Sequence, residues 1–190
     1  MSTTTLVIIG IIALLLVMVI AIYNGIINRE NAVKRAWADV ITQERQKNKI
    51  LPHIEQVASR YTEFEENVQT QIAALRSALA KLHSDRPDTQ RLAEVEQQTR
   101  QLMQGINIAV EAYPELKASE LFNNLMREIS EQQENIGAAI RLYNQNVEDF
   151  NNGITVFPNV LVNNWFMHKQ PVNTFTDQEA AAGFDYRPNI

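Results

Sequence analysis

Leu6 to Ile22 reads LVIIGIIALLLVMVIAI, apolar at every position except Gly10. No Asp, Glu, Lys, Arg or His precedes Arg29, so all 17 Lys and Arg and all 22 Asp and Glu residues lie beyond this stretch. With Thr3 to Thr5 and Tyr23 to Ile27 counted at its ends, the segment is long enough to cross roughly 30 Å of hydrocarbon as a helix. The rival reading is a cleaved signal peptide, with Val19 and Ala21 as cleavage-site residues. Against it, Met1 to Thr5 lacks the basic side chains that normally precede a signal peptide's apolar run. Residues 1–28 are therefore read as a short tail and a single transmembrane anchor. Arg29, Lys34 and Arg35 follow the span, whereas the five residues before it hold no Lys or Arg. That asymmetry places the N-terminus outside and the body in the cytoplasm.

The residues after the span suffice for one domain with a real core. The net charge is −5 and basic residues are interspersed with acidic ones. No stripe suits a phosphate backbone, which argues against nucleic acid as a partner. The chain has no cysteine, which excludes disulfides, thiol chemistry and Cys-ligated metals. Between Arg29 and Leu82 there is no glycine and one proline, Pro52. Such a composition favours helix.

From Val33 the apolar positions advance by alternating steps of four and three: Trp37, Val40, Leu51, Ile54, Ala58, Tyr61, Val68, Ile72, Leu75, Leu79 and Leu82, with only Glu44, Lys47 and Glu65 breaking the register. This is the period of a coiled-coil or bundle helix. It predicts one helix near 28–82, about 80 Å long. Pro52 within it is read as a kink, since no turn residues flank it; a hairpin there is the alternative. His83 to Pro87 interrupts the pattern. A second helix near 88–113 carries Leu92, Val95, Leu102, Ile106, Ala109 and Tyr113, and ends where Pro114 removes a donor. A third near 119–157, with Ser119 as its N-cap, carries Phe122, Leu125, Ile129, Ile136, Ile140, Tyr143, Val147, Phe150 and Ile154. The expected fold is all-α: a single transmembrane helix continuing into an elongated antiparallel up-and-down helical bundle over 29–158, then a weakly ordered C-terminal tail over 159–190 with one helical turn near Gln178 to Ala182.

Several short runs carry a resemblance. They are Tyr23-Asn24, Ala36-Trp37, Leu51-Pro52, the stretch EAYPELKA from Glu111 to Ala118, Tyr143-Asn144, Phe150-Asn151-Asn152 and Phe157-Pro158. In order and spacing the chain resembles the LemA family of bacterial membrane proteins over nearly its whole length, and EAYPELKA is the most specific piece. The resemblance implies a single-pass protein of the bacterial inner membrane, N-terminus out, with an antiparallel bundle as its body. It implies no agreed activity. The chain departs from the family after Phe-Pro, where Asn163-Asn164-Trp165-Phe166-Met167-His168-Lys169 replaces a glycine- and phenylalanine-rich stretch.

No catalytic, cofactor-binding or metal-binding residues are assigned. A di-iron bundle needs Glu-x-x-His pairs, but the residues three before His53, His83 and His168 are Ile50, Ala80 and Trp165. Metalloprotease, nucleophile-elbow and phosphate-loop motifs are also missing. Glu44 and Lys47 are read either as a buried ion pair that fixes register or as a locally exposed stretch. In the expected fold the second helix covers only part of the first. Val33, Trp37 and Val40 then need cover from another copy or from the C-terminal tail, which makes them a candidate subunit interface. Trp165, Phe166 and Met167 form a candidate docking cluster, for the bundle, a second subunit or lipid. The function expected is a membrane-anchored, non-enzymatic scaffold that self-associates as a homo-oligomer and organises or remodels the bilayer. The alternative is a monomeric tethered adaptor for an unidentified protein partner in signalling or envelope-stress handling.

Overall fold

The computed structural model describes residues 2–60 and 62–176. Helix α1 spans Thr3–Ala58, 56 residues or about 84 Å. It starts at Ser2, whose Oγ accepts from the Thr5 N–H at 3.3 Å. Helices α2 (Thr62–Ala80), α3 (Thr89–Ala112), α4 (Pro114–Lys117), α5 (Glu120–Thr155) and α6 (Asn159–Val162) follow, and a π-helical turn covers Asn163–Met167. No strand occurs among the described residues. The all-α class is as the periodicity predicts.

The predicted helix over 28–82 is corrected: α1 ends at Ala58, and α2, beginning at Thr62, runs back along α1. Its end is fixed there by two long-range bonds, Trp37 Nε1 to the His83 carbonyl and Arg45 Nη2 to the Leu82 carbonyl, each 2.9 Å. Pro52 is neither hairpin nor helix end. α1 passes through it as a single helix, and both Pro52 and Asn48 lie on the exposed face. The Asn48 carbonyl that proline cannot bond is therefore on the hydrated side, which limits the cost.

α5 is the principal neighbour of α1 and antiparallel to it. The pairs His53–Glu128, Gln43–Gln132 and Trp37–Tyr143 descend along α1 as they ascend along α5. The bundle proper is thus α1, α2, α3 and α5, with α4 bridging α3 to α5. α3 begins at Asp88, which caps the Arg91 N–H, and ends at Tyr113, held at φ −125° ahead of Pro114. Ser119 occupies the N-cap position of α5 but makes no side-chain capping bond there.

The α2–α3 connection lies level with Trp37, so α1 from Ile26 to Ala36 extends beyond α2 and α3 and packs with α5 alone among the long helices. Gly153 permits this closeness: a Cβ there would lie 2.7 Å from Arg29 Cδ. The C-terminal segment completes the packing. Asn144 exchanges two hydrogen bonds with the backbone of Phe175, and Asn151 two with Val172, all 2.8–2.9 Å. The Tyr143 hydroxyl donates to the Asn173 carbonyl at 2.9 Å. The expected weakly ordered tail from residue 159 is accordingly corrected over 159–176. Side-chain amides on α5 pair with its backbone as a neighbouring strand would, and Phe175 enters the core. The helical turn expected near Gln178 to Ala182 lies outside the described residues.

Candidate functional site

Helical spacing places Glu44 and Lys47 three residues apart on the core face of α1, and Glu96 and Thr99 likewise on α3. The four meet inside the bundle. Lys47 Nζ lies 2.8 Å from Glu44 Oε2, 2.8 Å from Glu96 Oε1 and 3.0 Å from Thr99 Oγ1. Glu44 is fully buried, and Lys47, Glu96 and Thr99 are 5–7% exposed. Of the two readings of Glu44 and Lys47, the buried ion pair is the one observed. Thr99 also donates to the Val95 carbonyl at 2.9 Å, so its oxygen is oriented to accept from Lys47. Gln132, from α5, donates to the Gln43 carbonyl at 2.8 Å just outside the cluster.

The electrostatics are uneven, because one ammonium faces two carboxylates. Neither Glu44 oxygen accepts a hydrogen bond despite the short contact with Lys47. Burial, opposed by Lys47 and reinforced by the Glu96 charge, raises Glu44 from 4.5 to about 8. That shift favours the neutral acid, which would bring a donor to a cluster where one ammonium faces two carboxyl groups. Burial also pushes Glu96 up, but Lys47, Glu44 and Arg100 outweigh it and hold that carboxyl below its ordinary value. Lys47 stays charged: burial works against the ammonium, while the two carboxylates raise it above its usual range.

A small cavity of about 30 Å³ adjoins the cluster, bounded by Lys47, Thr99, Gln132 and apolar side chains such as Ile54, Leu75 and Met103. That is room for one or two waters and too little for an organic substrate. The arrangement ties α1 to α3 through one buried ammonium shared by Glu44, Glu96 and Thr99, which fixes their register. Among the described residues, no group of three or more His, Cys, Asp or Glu side chains converges as metal ligands.

The candidate subunit interface is placed otherwise than expected. Val33, Trp37 and Val40 are at most 3% exposed within a single chain. Trp37 packs against Tyr143 of α5 with the rings tilted by 55° and their centroids 5.2 Å apart, while its indole N–H donates to the His83 carbonyl. This seam is corrected from a surface to a core: α5 covers it, as does the α2–α3 connection. Burial raises the Tyr143 hydroxyl to about 12. The docking cluster divides. Met167 packs against the core, while Trp165 is 70% and Phe166 62% exposed.

Glu96, Thr99 and Gln132 were not singled out by the sequence. One signal was present: the apolar stripe of α3 jumps from Val95 to Leu102, and Thr99 fills the missing step.

The α1 segment ahead of Ile26 is exposed and strongly apolar. Its most apolar window has a mean hydropathy of 3.3 with none of it buried, and α1 is the one described helix long and apolar enough to cross a membrane. Compared with known proteins, residues 36–185 match the sequence model of the LemA family, a match that begins after the apolar segment. A relative, "Protein LemA" of Metamycoplasma hominis, is 28% identical over 134 residues, which is 70% of this chain. The aligned part spans 60% of that relative's length.

Proposed function

Since the chain belongs to the LemA family, and its α1 joins an apolar span to a packed core, we propose that it is a membrane-anchored, non-enzymatic helical-bundle scaffold. The observation that carries this is the continuity of α1. One helix contains both the exposed apolar segment before Ile26 and the buried Trp37 and Val40, with no break between them. A bundle built on such a helix is held at a fixed height above the bilayer. Arg29, Lys34 and Arg35 at the end of the span support a single-pass orientation in the bacterial inner membrane, N-terminus out and bundle in the cytoplasm.

In its self-associating form the scaffold organises or remodels the membrane as a homo-oligomer. Because Val33, Trp37 and Val40 are spent inside the monomer, assembly would use faces other than that seam. The same burial favours a second form, a monomeric tethered adaptor that presents the bundle to a protein partner. The mass of the full-length chain in mild detergent, by light scattering with electron microscopy of the same fraction, separates them. A defined multi-subunit particle establishes the assembling scaffold; a monomer at all accessible concentrations eliminates it and leaves the adaptor. Complete release of the chain from membranes by alkaline carbonate would refute the anchor itself.

A further inference from the structure

The chain has a second long stretch without charge: from Phe150 to Met167 there is no Asp, Glu, Lys, Arg or His. The fold brings this stretch to the same end of the molecule as the first. Gly153 lies against Arg29, α6 packs on α1, and Lys169 Nζ reaches Glu30 Oε2 at 2.7 Å. Running antiparallel to α1 from that level, α5 and the turn after it advance toward Tyr23, which stands about 9 Å beyond Arg29 along the helix. Val162, Ile154 and Ile26 are buried where these elements meet.

What remains outside is apolar. Phe157 is 74%, Leu161 40%, Trp165 70% and Phe166 62% exposed. Trp165 and Phe166 follow Leu161 by four and five residues, about one turn on through the π-helical segment, and all three stay exposed. Buried Asn163 exchanges hydrogen bonds with the backbone of Lys169 at 2.9 and 3.1 Å, which fixes the turn and holds the aromatic rings outward. Apart from the span and the isolated Ile108 and Leu142, the exposed large apolar side chains are gathered here.

We propose that Phe157, Leu161, Trp165 and Phe166 form a second lipid contact, seated in the interfacial zone of the bilayer that α1 crosses. The proposal rests on the membrane-anchored reading above. Three features select lipid over a second copy: the level of the patch beside the end of the span, its composition of Trp and Phe, which favour the headgroup boundary, and the absence of any charge to be stripped of water. Arg29 and Lys169 lie just behind it, where lipid phosphates would be reached. Two contacts, one spanning and one interfacial, would fix the tilt and rotation of the bundle as a single helix cannot.

Tryptophan fluorescence offers a direct test, because the chain has two tryptophans and Trp37 is fully buried about 21 Å along α1 from Tyr23. Full-length protein and its Trp165→Phe variant are reconstituted in phosphatidylcholine vesicles whose acyl chains carry bromine either near the headgroup or near the bilayer centre. Expected are flotation of both proteins with the vesicles, loss of wild-type emission in the shallow-brominated lipid, less loss in the deep-brominated lipid, and removal of the quenched component by Trp165→Phe. Flotation without a quenched component that depends on Trp165 overturns the lipid contact and leaves the anchor standing. If that emission is nonetheless blue-shifted, another protein surface covers the patch instead. Failure to float overturns the anchor and the contact together.

Discussion

Replacing Glu44 with Gln should convert a pH-dependent fold into one that is nearly pH-independent across the physiological range. Glu44 is fully buried and raised from 4.5 to about 8, so between those values the folded chain holds a proton that the unfolded chain has released. Stability must then fall as pH rises through that window. From 4.5 to 7 is about 2.5 units, and at about 1.36 kcal/mol per unit the loss by neutrality is about 3 kcal/mol. The neighbours do not cancel it. The depressed Glu96 contributes stability that is lost only on acidification below its unfolded value, and the raised Lys47 contributes stability that is constant until far more alkaline pH. The carboxamide of Glu44→Gln mimics the protonated acid and can donate to Glu96 without titrating. Thermal melts of both proteins in mild detergent at pH 5, 6, 7 and 8 measure the difference. At pH 5 the midpoints should nearly coincide. By pH 7 the variant should melt higher by roughly 6–12 °C, at about 2–4 °C per kcal/mol for a chain of this size. Parallel curves across the series, or a variant less stable than wild type at pH 8, would refute the protonated, buried Glu44.

Lys47→Met removes the cation shared by two carboxylates and leaves Glu96 charged in the core, so a destabilisation of about 3–5 kcal/mol is expected in urea unfolding, largest at alkaline pH. Trp37→Ala deletes a fully buried ring and its bond to His83. It should cost about 3–5 kcal/mol in a melt while leaving the particle mass in detergent unchanged, the opposite of what a subunit contact would give. Asn144→Ala with Asn151→Ala removes four hydrogen bonds to the 172–175 backbone. Faster amide hydrogen exchange at Val172 and Phe175 is expected, with a loss of about 1–3 kcal/mol per site; unchanged exchange there would mean that other contacts hold the segment.

The sequence made the helices legible and concealed one turn. From Val33 to Leu82 the four-and-three spacing carries on in step through Ala58, Tyr61 and Val68, with polar residues only at Glu44, Lys47 and Glu65, yet α1 ends at Ala58 and α2 runs back along it. Two antiparallel helices facing a common core satisfy the same alternation, so periodicity cannot report a reversal that keeps the register. Local chemistry was no better guide. The residues between Ala58 and Thr62 include Ser59 and Arg60 but neither glycine nor proline, while the one proline between Val33 and Leu82, Pro52, sits in mid-helix with its unbonded carbonyl partner on the wet face. For the site, Glu44 and Lys47 stood out as breaks in the seam, but Glu96 was one charged residue among many on α3. Only the pairing of α1 with α3 distinguishes it.

The concealed turn also explains why Val33, Trp37 and Val40 looked unpartnered. An unbroken helix over 28–82 is about 80 Å long, and a partner of about 25 residues covers roughly half of that. The surplus apolar seam then has to be assigned to another copy or to the tail. Fold the same residues back after Ala58 and the surplus vanishes: α2 supplies cover of its own, the chain just beyond its end reaches Trp37 through His83, and the 36-residue α5 spans the rest of α1 from His53 to Arg29. An apolar stripe left over in a derived topology is therefore evidence of a missed reversal before it is evidence of a missing partner. The patch at Phe157, Leu161, Trp165 and Phe166 meets the stricter condition, since it stays exposed after every described helix has been placed.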